Sequence, residues 1–311
     1  MTPGSAPAIA PSRPASPAAA PRSRLGHDAP SRNNGTHAPL PATEISFAPI
    51  PDAIGHRVAV YGSGGVGKSS LACLAPGPVA FFDLDESLPR LRAQLLAADT
   101  KLDIRTVPGI HSWQDLRGAL HAPGWDGIQT IVLDTLTRCE ELAVRHTLDT
   151  VTTDKGQKVS RLADYPYGKG PEYLYDTFLT LLGDLDQHVR AGRHVVLVCH
   201  ECTNSVPNPQ GEDWLRYEPR LSSPTSGKNS IRLRVKEWVD HLLFIGFDID
   251  VKDRKGKGSG TRTIYPVEQP HCMAKSRTLA DTVVYERHDR TLWNLLLGAG
   301  DTPLAAAAAA A

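Results

Sequence analysis

Residues 62–69 run Gly-Ser-Gly-Gly-Val-Gly-Lys-Ser and meet the spacing Gly-x-x-x-x-Gly-Lys-[Ser/Thr], the pattern of a backbone loop that wraps a polyphosphate. Gly62, Gly64, Gly65 and Gly67 let the chain turn so that successive N–H groups, those of Ser63 and Val66 included, converge on phosphate oxygens. Lys68 then reaches the β- and γ-phosphates. Ser69 offers its hydroxyl to Mg²⁺, with Ser70 the lesser candidate.

Further chemistry must come from acids and polar groups elsewhere. Asp134 ends the apolar run Thr130-Ile131-Val132-Leu133, where a carboxylate holds Mg²⁺ directly or through water. Asp83, Asp85 and Glu86 follow Ala80-Phe81-Phe82, and Asp85 or Glu86 is the candidate that orients an attacking water. The same two acids could instead cap a helix beginning near Ser87. His200, with Glu201 beside it, follows the apolar run His194–Cys199 and is placed to sense a γ-phosphate, although a lone histidine at a strand end is more often structural.

These residues need elements that deliver them to one place. Short apolar runs predict strands over 57–61, 79–83, 103–107, 128–133, 194–199 and 241–247. Helical periodicity predicts helices over 67–74, 87–97, 112–121, 135–149, 171–190 and 229–239. The alternation points to an α/β fold: a mostly parallel sheet flanked by helices, with ligands at its carboxyl edge. Runs such as Ile128 to Leu133 suit strands buried on both faces. The segment 248–270, basic from Lys252 to Lys257, reads as a C-terminal β-hairpin extension. Thr203 to Asn229 reads as a long polar loop. Arg216, Arg220 and Lys228, with Trp214 and Tyr217 between them, could clasp single-stranded nucleic acid, or the loop could pack down as a lid.

Composition sets the bounds. The 311 residues, 41% of them apolar, suffice for one α/β domain with extensions. Lys plus Arg equals Asp plus Glu at 34 each, so any nucleic-acid surface must be local. Five irregularly spaced cysteines fit free thiols in a reducing cytoplasm, and a metal site at Cys199-x-x-Cys202 would need His271 and Cys272 as well. No run approaches a membrane span and no secretion signal opens the chain, so membrane partners are not expected and a cytoplasmic location is. Residues 1–42, rich in Pro, Ala and Ser, read as a disordered arm, 43–298 as the folded domain, and 299–311 as a disordered alanine-rich tail.

The ordered set GSGGVGKS, FFDLDE, TIVLDTLT, YGKGPEYLYDTFLTLL, VVLVCHE, YEPRL and Ala274-Lys275-Ser276-Arg277 resembles the RecA-like core of phage-type recombination ATPases, AAA-family nucleotide-binding proteins related to single-strand annealing recombinases. The likeness spans about residues 55–297. It implies a RecA-like P-loop NTPase that uses ATP and Mg²⁺ and acts on single-stranded DNA in recombination or replication. It also implies a homo-oligomer with active sites between subunits, in which Lys275 and Arg277 match a cation pair offered to the neighbour's nucleotide. Relatives commonly carry glutamate where this chain has Asp85, so the carboxylate is retracted by one methylene or Glu86 substitutes. The rivals are a P-loop small-molecule or nucleoside kinase, with Asp83 or Asp85 on the acceptor, and a nucleotide-gated, non-catalytic scaffold. A partitioning ATPase is disfavoured because Ser63 stands where that group has a second lysine.

Overall fold

The computed structural model describes residues 47, 49–50, 54–98, 102–252 and 255–298. The expected arm over 1–42 and tail over 299–311 lie outside the described residues. All the architecture below belongs to the unit Ile50–Ala311.

Among the described residues ten strands form the sheet. Six of them are parallel and run in the order β3 (Ile104–Thr106), β2 (Val79–Asp83), β4 (Thr130–Asp134), β5 (His194–Val206), β1 (Arg57–Gly62), β7 (His241–Lys252). β8 (Lys255–Tyr265) returns antiparallel against β7, and β10 (Val283–Val284) pairs with β8. β9 (Lys275–Ser276) pairs with the start of β7, and β6 (Trp214–Pro219) folds back on the second half of β5.

Helices cover both faces because alternate residues of each central strand are apolar in both directions. Ala59, Tyr61, Ile131, Leu133, Val195 and Leu197 pack under α3 (Trp113–His121), α4 (Leu136–Thr150), α5 (Gly170–Arg190) and α6 (Ile231–Trp238). Val58, Val60, Val132, Val196 and Val198 face the other way, under α1 (Lys68–Cys73), α2 (Leu88–Ala98) and α7 (Thr291–Leu297). Local signals set the helix starts. Ser112 and Asp115 form a reciprocal capping box on α3, and the Thr135 hydroxyl accepts from the Arg138 N–H at the head of α4.

The largest departure from the sequence reading is the stretch after His200. Instead of a long loop, β5 continues to Val206 and pairs with β6 from Glu201↔Pro219 to Val206↔Trp214, a two-stranded ribbon leaving the sheet. A buried ionic knot fixes its base, where Glu218 accepts from Arg216, Arg232 and Asn204. Arg216 also pairs with Glu268 at 2.7 Å, and Tyr217 stacks on Phe244 at 5.2 Å. Of the cations read as a nucleic-acid clasp, Arg216 is therefore committed to carboxylates, while Arg220 and Lys228 remain exposed. Among the described residues no helix is long and apolar enough to cross a membrane.

Candidate functional site

Strand register brings the predicted residues to one edge. Gly62 lies opposite His200 across β1 and β5, and Asp83 lies opposite Asp134 across β2 and β4. At Gly62 the next strand is so close that a Cβ would sit 2.3 Å from the Ile245 carbonyl oxygen, so only glycine fits. Gly65 and Gly67 have φ of 77° and 104°, the left-handed region where a side chain is strained. Gly64 and Ser63 complete the exposed turn, Val66 is buried beneath it, and Ser70 lines the adjoining cavity.

Lys68 is buried, and its Nζ donates to the carbonyls of Gly62 and Ser63, both at 2.8 Å. Burial lowers its pKa, opposed by the nearby carboxylates of Asp134, Glu201 and Asp85. Asp134 is 1% exposed and is the counterpart. Burial raises its pKa, and the neighbouring hydroxyls of Ser69 and Ser87 hold it down. A hydroxyl beside a buried carboxylate offers the hard oxygen donors that Mg²⁺ prefers, so Ser69 and Asp134 fit that ion.

The three acids after β2 divide their roles. Asp83 accepts from Ser87 N–H at 2.8 Å and Leu88 N–H at 3.0 Å, so it is the residue that caps α2, a role the sequence reading gave to Asp85 or Glu86. Asp85 takes no part in that cap. Its Oδ2 accepts from the Thr135 hydroxyl at 3.2 Å and lies 3.4 Å from His200 Nε2. The His200 contact is the main cause of its lowered pKa. Glu86 is exposed, at φ 53°, on the rim. His200 is anchored through its own N–H, which donates to the Thr137 hydroxyl at 3.2 Å. Asp85 lines both the cavity of about 310 Å³ beside Lys68 and a second, polar one of about 340 Å³ with Thr135, Arg138, His200 and Arg220.

Lys275 and Arg277 are not brought to this edge. Both follow the pairing of β9 with the start of β7, which lies beside Val58 at the opposite end of the sheet. Lys275 Nζ donates to the carbonyls of Lys236, Glu237 and Val239, closing the end of α6, and Arg277 pairs with Asp240 at 2.9 Å. Sequence reading missed Arg262 and Tyr285, which touch the loop from 196 and 218 residues away. No local pattern marks them.

A search of the curated proteins gave no match. Among solved structures, a KaiC-like protein from the hyperthermophilic archaeon Pyrococcus horikoshii OT3 is similar at 14% identity and TM-score 0.41, over 75% of this chain and 86% of that one. The flagellar accessory protein FlaH of Methanocaldococcus jannaschii is similar at 10% identity and TM-score 0.34, over 68% of this chain and 78% of that one. The AAA domain family matches residues 54–278. The match covers most of the chain, whose mostly parallel, helix-flanked sheet carries the phosphate-loop motif at its carboxyl edge, and the chain belongs to the AAA domain family.

Proposed function

We propose that this protein binds ATP with Mg²⁺ at residues 62–70 and hydrolyses it slowly, with Asp85 as the group that orients and deprotonates water. The observation that carries the reading is the convergence, on one sheet edge, of buried Lys68, buried Asp134 with Ser69 beside it, and Asp85 held by Thr135 and His200. Lys68 would exchange its two loop carbonyls for phosphate oxygens. Mg²⁺, held by Ser69 and Asp134, would neutralise charge on those oxygens. Asp85 accepts the water proton, and His200, on the same carboxylate, registers whether a γ-phosphate is there. A base whose pKa is already depressed is a weak one, which agrees with slow turnover.

The finer reading is an ATPase coupled to single-stranded DNA in recombination or replication, working as a homo-oligomer with shared active sites. Its support is the resemblance of the motif set, together with the exposed Trp214 and Leu215 on the β5–β6 ribbon, where bases could stack. Lys275 could serve a neighbour only after leaving its three carbonyls. ATPase rates measured with and without single-stranded oligonucleotide, across protein concentration, test both parts. Stimulation by both is expected, and a rate per chain unaffected by either removes the DNA and oligomer readings. The second cavity beside Asp85 favours one rival, a kinase with a polar acceptor in it. Phosphate appearing on a metabolite rather than in water would select that rival.

A further inference from the structure

The phosphate loop is held from outside by two side chains from the far end of the chain. Arg262 on β8 donates from Nη1 to the Val66 carbonyl at 2.8 Å. Its guanidinium carbon lies 4.5 Å from the centre of the Tyr285 ring, and the Tyr285 hydroxyl donates to the Gly67 carbonyl at 2.9 Å. The fit is close: a Cβ on Gly67 would lie 2.8 Å from Arg262 Nη1 and 2.9 Å from Tyr285 Oη.

We propose that Arg262 and Tyr285 are positioning residues of the triphosphate site, which fix the carbonyls of Val66 and Gly67 so that the next two amides are aimed before any ligand arrives. The proposal rests on the Mg-ATP reading above. Within a trans peptide the carbonyl and the following N–H point in opposite directions, and the peptides after Val66 and Gly67 are not among the cis bonds. Holding the Val66 carbonyl toward Arg262 therefore turns the Gly67 N–H to the other side. The Gly67 carbonyl, shared between the Tyr285 hydroxyl and the Leu71 N–H at 2.9 Å, does the same for the Lys68 N–H.

A loop with glycine at 62, 64, 65 and 67 has few restraints of its own. Without a clasp, the ligand itself must order the loop, and affinity falls accordingly. Arg262 suits the task because a planar guanidinium can lie on an aromatic ring and still direct an N–H in its plane. Both residues also border the cavity beside Lys68 and Ser69, so the clasp adjoins the place where phosphates would lie.

The test uses the full chain and the variants Arg262→Ala, Arg262→Lys and Tyr285→Phe. Mg-ATP affinity is read by calorimetry, kcat and KM by phosphate release, and hydrogen exchange at Gly67 and Lys68 without nucleotide. Tyr285→Phe removes one hydroxyl and keeps the ring, so it remains informative if Arg262→Ala fails to fold. Expected are Kd and KM raised about tenfold in Arg262→Ala and about threefold in Tyr285→Phe, kcat nearly unchanged, and partial recovery in Arg262→Lys. Exchange at the two amides should quicken while the melting temperature holds. Wild-type affinity and exchange in Tyr285→Phe would overturn the clasp. A wild-type protein that binds no Mg-ATP would instead sink the triphosphate reading, and the exchange measurement would still judge the clasp.

Discussion

His241 is expected to make this protein acid-sensitive by an amount that can be worked out. Its ring is 1% exposed at the start of β7, Nδ1 meets the Ser276 hydroxyl at 2.9 Å, and Nε2 is buried with no partner. His56 stacks on it at 5.8 Å, and Arg277, Lys275 and Asp240 are the charges that bear on it. Burial, then repulsion from His56, lowers its pKa from 6.5 to about 4. The unfolded chain therefore takes up the proton first as pH falls. Stability from the neutral ring is complete above pH 6.5, declines as pH drops toward 4, and is gone below that. Over the whole interval this amounts to about 3 kcal/mol, of which about 2 kcal/mol is lost between pH 7 and pH 5.

Other groups titrate in the same range. His194 is pushed down to about 4, again mainly by burial, and adds to the acid loss. Glu140, raised to about 7 by burial, opposes it, because its folded form gains a proton more readily as pH falls. The isolating experiment is urea unfolding of wild type and His241→Gln at pH 7 and pH 5. The variant should start less stable at pH 7, yet lose about 2 kcal/mol less than wild type between the two pH values. Equal losses would show that His241 titrates normally and refute the reasoning.

The remaining expectations concern the site and its supports. Asp85→Asn should leave Mg-ATP affinity within about twofold while lowering kcat about 10²-fold or more, read by phosphate release at saturating ATP. Gly62→Ala should destabilise by about 2 kcal/mol or more in urea, because its methyl would meet the Ile245 carbonyl oxygen at 2.3 Å. Glu218→Gln leaves Arg232 a partly buried cation without its carboxylate and Arg216 with Glu268 alone, and should cost about 3 kcal/mol in the same assay.

The parallel core was legible because its strands are nearly all apolar and short, and because helix starts such as Ser112 carry their own capping residues. The gathering of these residues at one sheet edge was legible for the same reason: Asp134 and His200 each end an apolar run, and a parallel sheet brings such ends together. What escaped depends on partners distant in sequence. Glu201 to Val206 has no strand periodicity, and becomes a strand only by pairing with β6, whose base is tied by Glu218 to Arg232 on α6. Asp83 and Asp85 are equivalent to any propensity, and backbone direction decides that Asp83 caps α2 while Asp85 turns to His200. Lys275 likewise reads as a free cation until the end of α6 is seen to lie against it.

The most direct trial is calorimetric titration of the full chain with Mg-ATP, wild type beside Lys68→Ala. A saturable heat in the wild type that disappears in the variant is the expected outcome. No heat in the wild type, or the same affinity in both, would contradict a phosphate site built on Lys68.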